Sequence, residues 1–162
     1  MTQKLTHFND QGRAQMVDVS AKSVTHRLAK AKGSLKISAE LAQILEQGSL
    51  AKGDAFTVAK TAGILAAKQT GLLIPLCHPL GLDQVEIEIW LDVPEGRVYF
   101  EATAKCEGKT GVEMEALTAL SVAALTVYDM CKAVDKGMVI ERIGLALKEG
   151  GKSGRFENPD FL

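Results

Sequence analysis

The chain has 162 residues, 46% of them apolar and 24% charged, and carries a net charge of −1. A domain of that length buries roughly 70% of its unfolded surface, so a core forms without disulfides or metal. No apolar run reaches the ~18 residues of a membrane span, and the charge balance is not that of a general nucleic-acid binder.

Residues 1–15 read as a polar N-terminal arm. The opening residues lack the basic-then-apolar layout of a secretory signal, and a cytoplasmic protein is expected. MVDVS (16–20) and the loosely alternating stretch from Val24 to Ile37 predict extended chain. Ser38 offers an N-cap to a short helix through Leu41, Ile44 and Leu45 that Gly48 closes. Asp54 caps a second helix with a small-residue stripe, Phe56, Ala59, Ala62 and Ala66, which Gly71 is expected to end. Val85, Ile87, Ile89 and Leu91 alternate with polar residues, as do Val98, Phe100, Ala102 and Ala104, and the turn 94–97 between them makes an antiparallel hairpin. Residues 111–131 form the longest helical pattern, led by Thr110 and Glu113 at capping-box spacing, and Val139 to Leu147 suggest a last strand. The order strand, helices, strand, strand, helix, strand predicts a ferredoxin-like α+β fold, an antiparallel sheet with helices on one face. Residues 16–149 then make a single domain, and 150–162 a glycine-rich C-terminal tail.

Three cysteines, Cys77, Cys106 and Cys131, are odd in number and widely spaced, which excludes a disulfide framework and a CxxC motif. Three histidines without HExxH spacing argue against zinc, so no metal ligands are assigned.

Several segments exceed what the fold requires. Between Pro75 and Pro79 the chain sets Cys77 beside His78. A buried connector with a satisfied histidine accounts for this. Neighbours in extended chain point to opposite sides, so a Cys–His dyad does not form, and a functional His78 would be an anion contact or proton carrier. Glu113 has a structural explanation in the capping box, whereas Glu115 has none; residues two apart on a helix lie about 200° apart and do not share one small ligand unless the backbone there is not yet helical. Asp129 and Lys132, at i,i+3, share a face, as a surface ion pair also would. The stretch from Lys148 to Gly154 fails as a Walker loop, because Ala146 stands where glycine is needed, yet its glycines and two lysines suit phosphate wrapping. Lys52 precedes Gly53 and Asp54 at a helix start, where anions are favoured. Lysines reserved for glycine-flanked positions beside acids suggest a phosphorylated substrate and proton transfer.

The motifs MVDVSAK (16–22), KGDAFTVAKTAGILAAK (52–68), LIPLCHPL (73–80), TGVEMEAL (110–117), YDMCKA (128–133) and GGKSG (150–154) closely resemble those of the cyclic pyranopterin monophosphate synthase family of molybdenum-cofactor biosynthesis, in the same order over nearly the whole chain. The resemblance implies a hexamer built as a trimer of dimers, with active sites at dimer interfaces. It implies conversion of 3′,8-cyclo-7,8-dihydroguanosine 5′-triphosphate, a nucleotide-derived small molecule, to cyclic pyranopterin monophosphate and diphosphate. Carried over by motif, Lys52, Asp129 and Lys132 are the catalytic candidates. Leu76, Cys77, His78, Glu113, Met114 and Glu115 line the substrate site, Lys148 and Lys152 resemble phosphate-binding lysines, and Arg27 is a further candidate.

Those residue types suit the chemistry. Ammonium groups crowded by other cations have lowered pKa values, and Lys132 and Lys52 are expected to be such groups. Lys148, Lys152 and His78 could stabilise departing diphosphate, and Glu113 and Glu115 offer acceptors to a guanine-like N–H edge. No cofactor is required, although a triphosphate brings Mg²⁺ with it readily. An RNA-binding module, the main rival, lacks an FxF strand here and would present Glu86, Glu88 and Asp92 to a phosphate backbone.

Overall fold

The computed structural model describes residues 6–48 and 54–161. In chain order these form β1 (Thr25–Lys36), α1 (Ala39–Glu46), α2 (Ala55–Lys68), the single turn α3 (Thr70–Leu73), β2 (Gln84–Asp92), β3 (Arg97–Gly108), α4 (Glu113–Cys131), β4 (Val139–Glu149) and β5 (Phe156–Glu157), followed by a 3-10 turn at Pro159–Phe161. The sheet runs β2-β3-β1-β4-β5 with every pairing antiparallel. Its first four strands have the ferredoxin-like order expected from the sequence. The segment after Gly150 returns to the sheet, where Phe156 pairs with Lys148.

Period-two alternation buries one face of each central strand: Ala29, Ala31 and Leu35 from β1, and Val98, Phe100, Ala102 and Ala104 from β3. Against them α4 packs Ala116, Ala119, Leu120, Ala123 and Val127, all fully buried. α4 has the length and mean hydropathy, 1.3, of a membrane-spanning segment, but half of that stretch is buried inside the domain, where it serves as the core helix. Small residues let α2 lie close on α4. At Gly63 a Cβ would stand 2.7 Å from the Ala119 carbonyl oxygen.

Caps follow the sequence in part. Ser38 accepts from Leu41 N at 3.2 Å, Asp54 accepts from Phe56 N and Thr57 N, and Gly48 takes φ +64 after α1. Three expectations need correction. Gly71 does not end α2, which stops at Lys68; it lies within α3, where its bare Cα lets Pro79 pack closely. Ala62 is only half-buried, and the inward position next to it belongs to Gly63. The capping box of Thr110 and Glu113 is absent: Val112 is the N-cap and makes no side-chain cap bond, so Glu113 is the first helical residue rather than the third.

Candidate active site

That two-residue displacement frees Glu113. Gly111 has no side chain, and the Glu113 carboxylate occupies the space where a Cβ would stand. From there it reaches Lys148 on β4, with Oε1 and Nζ 3.7 Å apart and both side chains partly buried. Lys148 also donates to Ser153 Oγ in the glycine-rich loop.

Two cavities adjoin at this end of α4. A smaller one, about 250 Å³, is walled by Leu76, Cys77 and His78 on one side and by Glu113, Met114 and Glu115 on the other. Although they are two residues apart on α4, Glu113 and Glu115 both line this cavity. In the first helical turn the Cα–Cβ bonds tilt back toward the N-terminus, so residues around the whole ring overhang the helix end. Glu115 is 4% exposed, and burial, reinforced by the charge of Glu113, raises its pKa above the ordinary carboxylate value. The Cys77 thiol is pushed up by burial and then by Glu115, which disfavours a thiolate nucleophile.

The larger cavity, about 870 Å³, shares Lys22, Thr110, Gly111 and Glu113 with the first. It gathers five cations: Lys22, Arg27, Lys109, Lys148 and Lys152. Arg27 is buried and donates Nε to the Gly108 carbonyl at 3.1 Å. Gly150 and Gly151, at φ +97 and +74, fold the loop around it. A side chain at Gly151 would collide with the guanidinium, and one at Gly150 with the His26 carbonyl. These two glycines are therefore fixed both by backbone conformation and by the arginine they enclose.

Asp129 and Lys132 stand at the other end of α4. Asp129 Oδ1 accepts from Lys132 Nζ at 2.6 Å, and both side chains are exposed. The expected lowering of the Lys132 pKa is corrected: its hydrogen bond with Asp129, together with the carboxylate charge, raises it. Its neighbour in the chain is an anion rather than a cation. Lys52 lies outside the described residues.

Leu76, Cys77, His78, Glu113, Met114, Glu115, Arg27, Lys148 and Lys152 thus come together around two joined cavities, while Asp129 and Lys132 do not join them within one chain. Sequence reasoning missed Val17, Val19, Lys22 and Lys109, all of which line these cavities. The MVDVSAK motif and a lysine directly before Thr110-Gly111 were the available signals. Among the described residues no group of three His, Cys, Asp or Glu side chains is placed to hold a metal ion.

A family model described as "MoaC family" matches residues 16–151. The chain is 55% identical over 159 residues to a protein of Desulfitobacterium hafniense named cyclic pyranopterin monophosphate synthase, covering 98% of this chain and 97% of that one. It is 59% identical over 153 residues to a Cereibacter sphaeroides protein of the same name, with 94% and 96% covered, and 57% identical over 153 residues to one from Dinoroseobacter shibae, with 94% and 97% covered.

Proposed function

The chain belongs to the MoaC family, and from that premise we infer that it is a cyclic pyranopterin monophosphate synthase, a lyase of molybdenum-cofactor biosynthesis. Its substrate is 3′,8-cyclo-7,8-dihydroguanosine 5′-triphosphate, and its products are cyclic pyranopterin monophosphate and diphosphate. The observation that carries the reading is the pair of joined cavities, one walled by acids and apolar side chains, the other by five cations that outnumber the three acids Asp18, Glu113 and Glu149. A ring system with an N–H edge suits the first and a triphosphate the second.

Glu113, Met114 and Glu115 grip the ring from one side, and Leu76 and Cys77 from the other. Lys148, Lys152 and Arg27, with Lys22 and Lys109, hold the phosphates. When a ribose hydroxyl attacks the α-phosphorus, the new O–P bond forms as the bond to diphosphate breaks, and the hydroxyl proton passes to a base. Negative charge then grows on diphosphate, where the lysines stabilise it. No resident cofactor is required by the scheme, and a triphosphate can bring Mg²⁺ with it.

Asp129, Lys132 and Lys52 supply the acid–base chemistry, Asp129 and Lys132 from a second copy. The support is the length of α4 and the apolar surface the helix layer leaves exposed, including Leu65, Leu72 and Leu125. A closed homo-oligomer, a hexamer formed as a trimer of dimers in the cytoplasm, completes the proposal. Incubation with the cyclised guanosine triphosphate tests it: diphosphate should be released at the same rate as the pterin product forms. No diphosphate above an enzyme-free control would overturn the reading.

A further inference from the structure

Both ends of the segment 6–22 line the cavities, Thr6 and His7 at one and Val17 to Val19 with Lys22 at the other, yet the backbone hydrogen bonds of this segment among the described residues are internal to it: Asn9 N to Arg13 O, Gly12 N to Asn9 O, Gln15 N to His7 O, and Lys22 N to Val19 O. Its only described β-bridge, Phe8 with Ala14, is also internal. Two side chains from the body of the domain take hold of its carbonyls. His78 Nε2 lies 2.8 Å from Val17 O, and Lys109 Nζ donates to Ser20 O at 2.9 Å. Between those points the Asp18 carboxylate accepts from Ser20 N at 2.8 Å and from Ser20 Oγ at 2.6 Å, making a tight turn. The turn sets Val17 and Val19 along the smaller cavity and Lys22 at the junction of both.

A carbonyl oxygen only accepts, so His78 Nε2 carries the hydrogen in this contact and has no lone pair left for a substrate proton. The donor stands on a loop that Pro75 and Pro79 stiffen and that packs against Gly71. We propose that His78 is a positioning residue, which ties residues 17–22 across the cavities and so holds Lys22 at the junction of ring and phosphate compartments. The tie itself is independent of the substrate; its consequence for binding rests on the function proposed above.

Two variants separate this role from proton transfer. His78→Gln keeps an N–H donor near the Nε2 position, and His78→Phe keeps the ring without the donor. Limited trypsin digestion of the assembled enzyme, without substrate, reads cleavage after Arg13 and Lys22, and diphosphate release reads KM and kcat. Loss of one hydrogen bond should speed cleavage and raise KM about tenfold in His78→Phe, with a smaller effect on kcat. His78→Gln should restore protection from cleavage, and its kcat should keep the wild-type pH profile. Lys109→Met, which removes the second tie, should speed cleavage in the same way. The proposal is overturned if His78→Phe and Lys109→Met are cut at the wild-type rate, or if His78→Gln is protected like wild type yet loses about a hundredfold in kcat, the signature of a proton carrier. A wild-type enzyme that released no diphosphate would remove the proposed function while leaving the cleavage result to judge the tie.

Discussion

Glu115 and Asp129 stand at opposite ends of α4, fourteen residues apart on a helix that neither glycine nor proline interrupts. At 1.5 Å per residue that is about 21 Å along the axis, too far for one nucleotide pocket to use both from a single chain. In the oligomer proposed above, an isologous contact between two copies would bring the first turn of one α4 to the last turn of another.

Mixed oligomers test that arrangement. Glu115→Ala and Lys132→Ala subunits, each inactive alone, should recover about a quarter of wild-type activity after joint unfolding and reassembly, because random pairing makes about half of the interfaces mixed and each mixed interface has one of its two sites intact. No recovery in verified mixed oligomers would place the whole site within one subunit.

Lys132→Ala should lower diphosphate release by about a hundredfold or more, the scale of a lost acid–base group, without changing the unfolding midpoint. The ammonium is exposed and its pair with Asp129 lies at the surface, so the fold has little to lose. Lys132→Arg should fail nearly as badly, because a guanidinium keeps its proton. Retained turnover in a folded variant would remove Lys132 from the chemistry.

Lys148→Ala and Lys152→Ala should weaken substrate binding and flatten its dependence on ionic strength, since each removes a cation from the larger cavity. Lys148→Ala should act more strongly, because it also leaves the partly buried Glu113 carboxylate without its ion-pair partner. Parallel salt slopes for variants and wild type would argue against phosphate contact.

Burial raises the pKa of Glu115 in the folded chain above its unfolded value of about 4.3. The unfolded state therefore loses this proton first. The group favours folding fully below about pH 4 and loses that contribution as pH rises through its folded value. Glu115→Gln, which stays neutral, should be more stable than wild type at pH 7, with the advantage vanishing toward pH 4. Denaturant midpoints measured across that range decide it, and an advantage independent of pH would show that burial of the charge is not the cause.

Gly63→Ala should destabilise the domain by about 1–3 kcal/mol, the usual cost of overpacking. The new methyl meets the Ala119 carbonyl oxygen 2.7 Å away, and backbone in the middle of α4 cannot step aside. An unchanged midpoint would mean that α2 slides freely over α4.

Where each element lies, and which face of it is buried, depends on neighbours close in the chain, and that much was readable from the sequence. Alternation marked the hairpin of β2 and β3, Ser38 and Asp54 marked two helix starts, and the absence of Gly and Pro marked the unbroken α4. Ordered motifs pointed to the family and to most residues of the two cavities. Local spacing misled where a distant contact prevailed: Thr110 and Glu113 have capping-box spacing, but the Glu113 carboxylate pairs instead with Lys148 on β4. Lys22 and Lys109 escaped notice because a place in or beside a motif does not tell which side chains reach a cavity. A carbonyl bonded to an imidazole 61 residues away is set by how the chain packs, because hydrogen bonds and ion pairs act over ångströms in space, whatever the distance along the chain.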